Sequence, residues 1–406
     1  MVRATGKLKL TVTAAMVVAA LCVPTAQAAP KYKVLHAFTG SDGIGPYSGV
    51  IVGQDGNLYG TTVGGGAGGC CGTVFELRRK ADEKWSESVL YTFENNGRDG
   101  DAPYGSLVFN AAGNLYGTTS SGGTHFSGVA FKLTHTAGRW EEAVLYDFCS
   151  RQNCSDGGSS TAGLVIDKAG TLYGTAHLVF ELSHESGGWK EKVLHHFTGQ
   201  PGDSTLIFDS SGNLYGATEA GGSSKAGAVF EVQHTSSGWK EQALHNFPAF
   251  AQDGQVPGSG ALVFDTSGNL YGTTIQGGTN TCADVGCGTI FRLTLGSRDR
   301  WKETILYNFQ PGASGSFPTA GVVMDKAGNL YGTTDDGGTA SCSCGVVYKL
   351  APGSNGKWTY TVLHRFSGID GAIPAGNLTL DDQGNLYGGT VLGGPVNDGV
   401  IFELTP

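Results

Sequence analysis

The sequence predicts an all-β protein, a seven-bladed β-propeller of four-stranded blades whose last blade is closed by the N-terminal strand. Three observations predict it. First, 67 of the 406 residues are Gly and only 15% are charged. That Gly share is more than twice the usual ~7% and excludes long helices, because Gly is the poorest ordinary helix former. Collagen is excluded because Gly does not recur every third residue, and disorder because 39% of residues are hydrophobic and 10% aromatic. Second, Leu-Tyr-Gly occurs seven times, with Tyr59, Tyr116, Tyr173, Tyr215, Tyr271, Tyr331 and Tyr387. Third, the copies are out of phase with the chain: it opens on a lone Val34-Leu35-His36-Ala37-Phe38 and ends on a lone Val400-Ile401-Phe402-Glu403-Leu404.

Each copy reads as four strands. Strand A is an apolar run such as Leu262-Val263-Phe264, continuous enough for burial on both faces. An Asp-x-x-Gly turn (Asp265 to Gly268) leads to strand B, Asn269 to Thr274. Asp suits the first turn position and Gly the left-handed one. Strand C alternates, as in Thr289-Ile290-Phe291-Arg292-Leu293, and strand D runs from Trp301 to Phe309. The lone first segment has the D pattern and the lone last segment the C pattern, so the termini complete one blade between them. Ring closure removes the exposed sheet edges that an open array leaves. The Tyr173 to Tyr215 interval is short, 42 residues against 56 to 60 elsewhere, because Gly174-Thr175 runs almost directly into Leu178-Val179-Phe180 without a Gly-Gly loop.

Residues 1–28 read as a signal peptide and 29–406 as the propeller. Arg3, Lys7 and Lys9 precede an apolar Leu10 to Val23, and Ala26-Gln27-Ala28 is a small-x-small cleavage site. Cys22 follows Leu21, where a lipid-attachment site needs a small residue. The mature chain is expected to be exported, periplasmic or extracellular, without a membrane span, and monomeric. It keeps 23 basic against 35 acidic residues, a balance that repels phosphate backbones and argues against nucleic acid.

The frame Asp-x-x-Gly-Asn-Leu-Tyr-Gly-Thr-Thr-x-x-Gly-Gly, then Gly-x-Val-x-x-Leu, at Asp325 to Leu350, resembles the bacterial GloVer tandem repeat of exported "choice-of-anchor" proteins. The resemblance spans nearly the whole mature chain and implies a surface-associated protein, with no established activity to carry over. No sorting segment follows Thr405-Pro406, so this copy is expected to be released or periplasmic. A weaker similarity to kelch repeats implies a propeller rather than a function.

In an up-down blade the B–C and D–A loops share one face, and those are the loops that vary here. The cysteines fall on that face. Apart from Cys22 there are eight, an even number suited to an oxidising compartment. Cys149 with Cys154 and Cys282 with Cys287 are easily bridged local pairs. Cys342 with Cys344 is a tight pair, and Cys70 with Cys71 is vicinal or pairs elsewhere. The separated Cys-x-x-Cys pairs of a zinc site are absent.

A carboxylate recurs in the D–A loops: Asp42, Asp99, Asp156, Asp203, Asp253 and Asp370, with Ser314 in the sixth copy. The sharper reading is a crown that binds calcium or a sugar. The plainer one is a turn leading into strand A, which a residue repeated once per blade favours. Asp167, Asp209, Asp265, Asp325 and Asp381 at the A–B turn read as structural. So do the repeated Tyr and Trp, and the strand-D position shared by His36, His195, His245 and His364 with Tyr91, Tyr146 and Tyr307, taken as a packing slot. His125 stands outside the repeat positions. Strand A begins on small residues, from Ser48-Gly49 to Gly376-Asn377, as tight convergence on the axis requires. No hydrolase elbow, zinc-protease or Walker motif is present. The expected function is therefore a binding or surface-interaction module for a polysaccharide or an envelope or extracellular protein, with no cofactor beyond a calcium ion on the Asp crown. The alternative is a carbohydrate-active lyase or hydrolase using loop carboxylates such as Asp99, Asp101 and Asp156, and a third reading is a structural envelope component.

Overall fold

The computed structural model describes residue 1 and residues 29–197, 204–249, 253–297, 300–339 and 341–406. The leader and Asp203 lie outside the described residues. Seven antiparallel sheets form the blades of a propeller. In blade 5 strand A is Val263–Phe264, B is Leu270–Gly277, C is Thr289–Leu295 and D is Trp301–Asn308, and an added strand, Gly254–Pro257, pairs with the extended end of B. Lys31–Ala37 supplies strand D of blade 7, pairing antiparallel with Val400–Thr405 from Lys31 opposite Thr405 to Ala37 opposite Val400. The ring thus closes by exchange between the termini. Strand A is shorter than expected and only half-buried at Val263 and Phe264, with Leu262 the buried member. Its outer end opens into a groove on the short-turn face, beside Tyr271 and Trp358.

The repeated residues explain one another. The Phe of strand C lies over the Gly of Leu-Tyr-Gly: a methyl on Gly272 would come 2.7 Å from Phe291 Cζ, and one on Gly117 2.6 Å from Phe131 Cζ. Each such ring, or Tyr348 in blade 6, meets edge-on the aromatic residue that ends strand D of the preceding blade. Phe93–Phe131, Phe247–Phe291 and Phe38–Phe75 have centroids 5.2, 5.3 and 5.2 Å apart. These pairs join neighbouring blades through the quadrupole-favoured edge-to-face arrangement. Trp and the Leu-Tyr-Gly tyrosine also meet across blades, as in Tyr173 with Trp239.

At the A–B turn Asp265 Oδ1 accepts from the backbone N–H groups of Ser267 and Asn269, and Oδ2 from Asn269 Nδ2 and the Tyr271 hydroxyl. Burial opposes its charge, but these donors outweigh it and hold the carboxyl below the usual range. In blade 1, Gly53 replaces the Asp, and Asp55 takes over the Asn57 and Tyr59 contacts. The register of strand D against strand C shifts at the same point in every blade, at Val74/Phe75 in blade 1 and Ile290/Phe291 in blade 5. This bulge re-aims the residue that follows it, the His/Tyr position.

Candidate functional site

The axis of the ring is closed. A methyl on Gly260 would overlap the backbone of Gly321, and one on Gly105 that of Ala162. What remains is a cavity of about 30 Å³ among Ser48, Ser106, Gly163, Thr205 and Gly376, room for one water molecule. A ligand on the axis must therefore sit above this plug, at the mouth formed by the variable loops.

Two chain positions build that mouth. One follows Pro in the D–A loop and carries Tyr47, Tyr104 and Thr319 in blades 1, 2 and 6. The other follows Gly-Thr-Thr at the end of strand B, with Val63, Ser120, His177, Glu219, Ile275, Asp335 and Val391 in turn. A left-handed residue before the Pro organises both. Ala102, Phe317 and Ile373 have φ of 54°, 58° and 56°, a conformation that is costly away from Gly. The Phe317 N–H donates to Cys287 O of the preceding blade at 3.0 Å, and its carbonyl accepts from Asp335 N at 3.1 Å. Ala102 does the same with Cys71 O and Ser120 N. In blades 1, 2, 6 and 7 the start of the B–C loop is thereby fixed to the loop that enters its blade.

The mouth gathers residues that do not repeat. Tyr47 and Tyr104 meet edge-on with centroids 5.1 Å apart. Burial raises the Tyr47 hydroxyl above its ordinary range, and the charges of Asp335 and Glu219 add to the effect. Asp335 accepts from the Thr319 hydroxyl at 2.7 Å. Burial still pushes its carboxyl up to about 6, with Asp336 adding to the effect. Neither Asp335 nor Glu219 was singled out above. The signal was present: acidic residues at a position that is Val, Ser or Ile in four blades. His177 occupies the same position in blade 3.

Four of the D–A carboxylates, Asp42, Asp99, Asp156 and Asp370, lie instead beside the outer strands, each engaged within its own loop. Asp42 accepts from Thr39 N and pairs with His36 Nε2 at 2.9 Å. Asp99 accepts from the Tyr91 hydroxyl and from Glu94 N and Asn96 N. Asp156, fully buried, accepts from the Tyr146 hydroxyl, from Ser150 N and Oγ, and from Arg151 N. Burial opposes its charge, but the Ser150, Tyr146 and Arg151 donors prevail and lower its carboxyl. Asp370 accepts from Ser367 N and Oγ and pairs with His364 Nε2. Asp101 accepts from Asn95 Nδ2, and burial raises its carboxyl. Asp253 is exposed. His125 is partly exposed, with Nδ1 3.3 Å from Asp147 Oδ2. These residues share a face but are not assembled into one site.

Three of the loop carboxylates also have a neighbour that sequence reading missed, the residue two after Trp on strand D of the next blade. Glu87 stands beside Asp42, Glu142 beside Asp99 and Glu191 beside Asp156. Burial pushes each of these glutamates up to about 7, and the adjacent Asp adds to it; Arg151, with Nη2 2.8 Å from Glu191 Oε2, works against it in the third. The Trp-x-Glu spacing was readable, but the pairing is not, because the loop Asp belongs to the preceding blade.

The sulfurs of Cys70 and Cys71, Cys149 and Cys154, Cys282 and Cys287, and Cys342 and Cys344 are brought together pairwise. Cys71, Cys287 and Cys344 occupy one repeat position, the carbonyl that accepts from the next blade's left-handed residue. Three of the four pairs therefore lie where two blades lock, and Cys149 with Cys154 lies within one D–A loop.

The signature of the Gloeobacter/Verrucomicrobia repeat matches residues 23–178 and 284–406, more than half of the chain, in keeping with the GloVer resemblance. No curated protein matches the sequence. Among solved structures, a streptogramin B lyase is 13% identical with a TM-score of 0.57, over 92% of this chain and 97% of that one. A catalytically inactive virginiamycin B lyase from Staphylococcus aureus with quinupristin is 15% identical with a TM-score of 0.57, over 93% and 99%. The periplasmic gluconolactonase of Pseudomonas aeruginosa is 15% identical with a TM-score of 0.51, over 78% and 84%. At such identities the likeness is one of fold.

Proposed function

We propose that this chain, which belongs to the Gloeobacter/Verrucomicrobia repeat family, is an exported binding module that takes a polysaccharide at the axial mouth of its loop-rich face. One observation carries the reading: Tyr47 and Tyr104, from two blades, meet edge-on beside the closed axis, within reach of the charges of Asp335 and Glu219 from two others. A tyrosine face covers the apolar side of a sugar ring, and carboxylates beside it accept hydrogen bonds from ring hydroxyls. Loops pinned to neighbouring blades keep such a site preorganised, which reduces the entropy cost of binding. Export is supported by the leader-like N-terminus and the cysteine pairs. Among the described residues no helix is long and apolar enough to cross a membrane.

A second reading is favoured by Asp335. A half-buried carboxyl held at about 6 is suited to general acid–base work near neutral pH, with Glu219 as its counterpart in a lyase or hydrolase. One experiment addresses both. The purified protein is passed over a polysaccharide panel, and retention and newly formed sugar ends are read from the same samples. Tyr47→Ala should weaken retention at least ~10-fold, the scale of a lost aromatic anchor, and Asp370→Asn should leave it unchanged. New ends abolished by Asp335→Asn establish the enzyme. Equal retention by wild type and Tyr47→Ala refutes the axial site.

A further inference from the structure

We propose that His36, Asp42 and Glu87 form a divalent-cation site that ties the ring-closing N-terminal strand to blade 1. A ring nitrogen of His36, an Asp42 oxygen and a Glu87 oxygen all lie within 4.8 Å of one another, and His36 Nε2 is the nitrogen that faces Asp42. His36 belongs to the closing strand, Asp42 to the loop after it, and Glu87 to strand D of blade 1, Trp85–Thr92. One imidazole and two carboxylates make a three-ligand set for zinc or manganese, with open positions for water. His36 would bind through Nε2 as the neutral imidazole, giving up its present hydrogen bond to Asp42.

At the blade 2–3 junction the equivalent carboxylates, Asp156 and Glu191, have a built-in cation, since Arg151 lies 2.8 Å from Glu191. Asp42 is paired with His36 alone, and no Lys or Arg within ion-pair distance of Asp42 or Glu87 is found among the described residues. Glu87 Oε1 is buried without a hydrogen-bond partner. Glu142 Oε1, beside Asp99 at the blade 1–2 junction, is also buried without a partner; what sets the His36 junction apart is the imidazole within ligand distance of both carboxylates. The blade 4–5 junction carries the same unmet demand: the Glu303 side chain is 8% exposed, its Oε1 has no partner, and its Oε2 lies 3.4 Å from His245 Nε2, which makes no hydrogen bond. There Asp253 is exposed, and the three groups do not converge. The strand-D position is thus a packing and hydrogen-bonding slot in general, and at His36 it gains two carboxylates within ligand distance. Tyr91 and Tyr146 fill the slot beside the other carboxylate pairs. Tyr is a poor ligand for these ions, so those junctions serve as internal controls.

The test uses the full chain, stripped with a chelator and titrated calorimetrically with zinc sulfate and, separately, manganese chloride at pH 7.5. The expected result is one equivalent bound by wild type with a rise in melting temperature. His36→Tyr copies the residue of three other blades and so should fold; it should weaken that binding at least ~10-fold, as should Glu87→Gln. Tyr91→His, which recreates the triad with Asp99 and Glu142, should add a second equivalent. Absence of binding by wild type, or the same stoichiometry and affinity in wild type, His36→Tyr and Glu87→Gln, overturns the site. In the latter case the ion sits on other histidines, and the carboxylate pair is relieved by a proton instead.

Discussion

Replacing Glu142 with Gln should stabilise the protein at pH 8 and do little at pH 4.5. Glu142 Oε1 is buried without a hydrogen-bond partner, and burial, with the Asp99 charge beside it, pushes the carboxyl up to about 7 from an ordinary 4.5. The folded protein therefore holds a proton that the unfolded chain releases. The stability this contributes is complete below about pH 4.5 and is lost as pH rises through about 7. The full difference between the two values corresponds to ~3 kcal/mol. The side chain is partly exposed, so solvent screening reduces the expected effect to ~1 kcal/mol. Gln removes the ionisation and keeps the shape, and its amide is a donor that faces Asp99. Urea unfolding of wild type and Glu142→Gln at the two pH values measures the difference directly. A variant no more stable than wild type at pH 8, or one that gains equally at pH 4.5, would refute the reasoning. Asp99→Ala should have the opposite sign, ~2–4 kcal/mol less stable, because it leaves the Tyr91 hydroxyl and the Glu94 and Asn96 N–H groups without their acceptor.

The blade-to-blade lock gives a sharper contrast between glycines. Gly288 has φ of 90°, and a methyl there would overlap Thr274 O and come 2.7 Å from Pro318 Cδ of the next blade. Gly288→Ala should cost ~3 kcal/mol or more, whereas Gly212→Ala, at φ of 85° with nothing within 4 Å, should cost only ~1 kcal/mol; thermal melts of the two variants check the ranking. Peptide mapping under non-reducing conditions should find Cys149 linked to Cys154, Cys282 to Cys287, Cys342 to Cys344 and Cys70 to Cys71. Links between different loops would contradict the loop-staple assignment.

Ring closure was legible because it depends on pattern alone. A D-type run at one end and a C-type run at the other suffice, and Lys31–Ala37 pairs with Val400–Thr405 as that order requires. The Gly of Leu-Tyr-Gly was legible as a repeat but not as a cause, since only the fold places the strand-C ring above it. The junction glutamates escaped for a different reason. On strand D they alternate with polar neighbours and read as a solvated edge, as in Trp140-Glu141-Glu142. The Asp that confronts each one comes from a loop more than 30 residues earlier, on the blade before. The axial mouth is the more instructive case. Seven copies of one unit repeat whatever the blade itself needs, so Asp42, Asp99, Asp156 and Asp370 recur and are consumed by their own loops. A ligand centred on the axis meets one residue from each blade and gains nothing from their being alike. Sites of that kind are written in the departures at a fixed position: Glu219 and Asp335 where other blades carry Val63, Ser120, Ile275 and Val391, and Tyr47 and Tyr104 where others carry Thr319 and Ala375. In a repeat protein the informative comparison is therefore between blades of the same chain, and the positions to mutate first are those where the chain disagrees with itself.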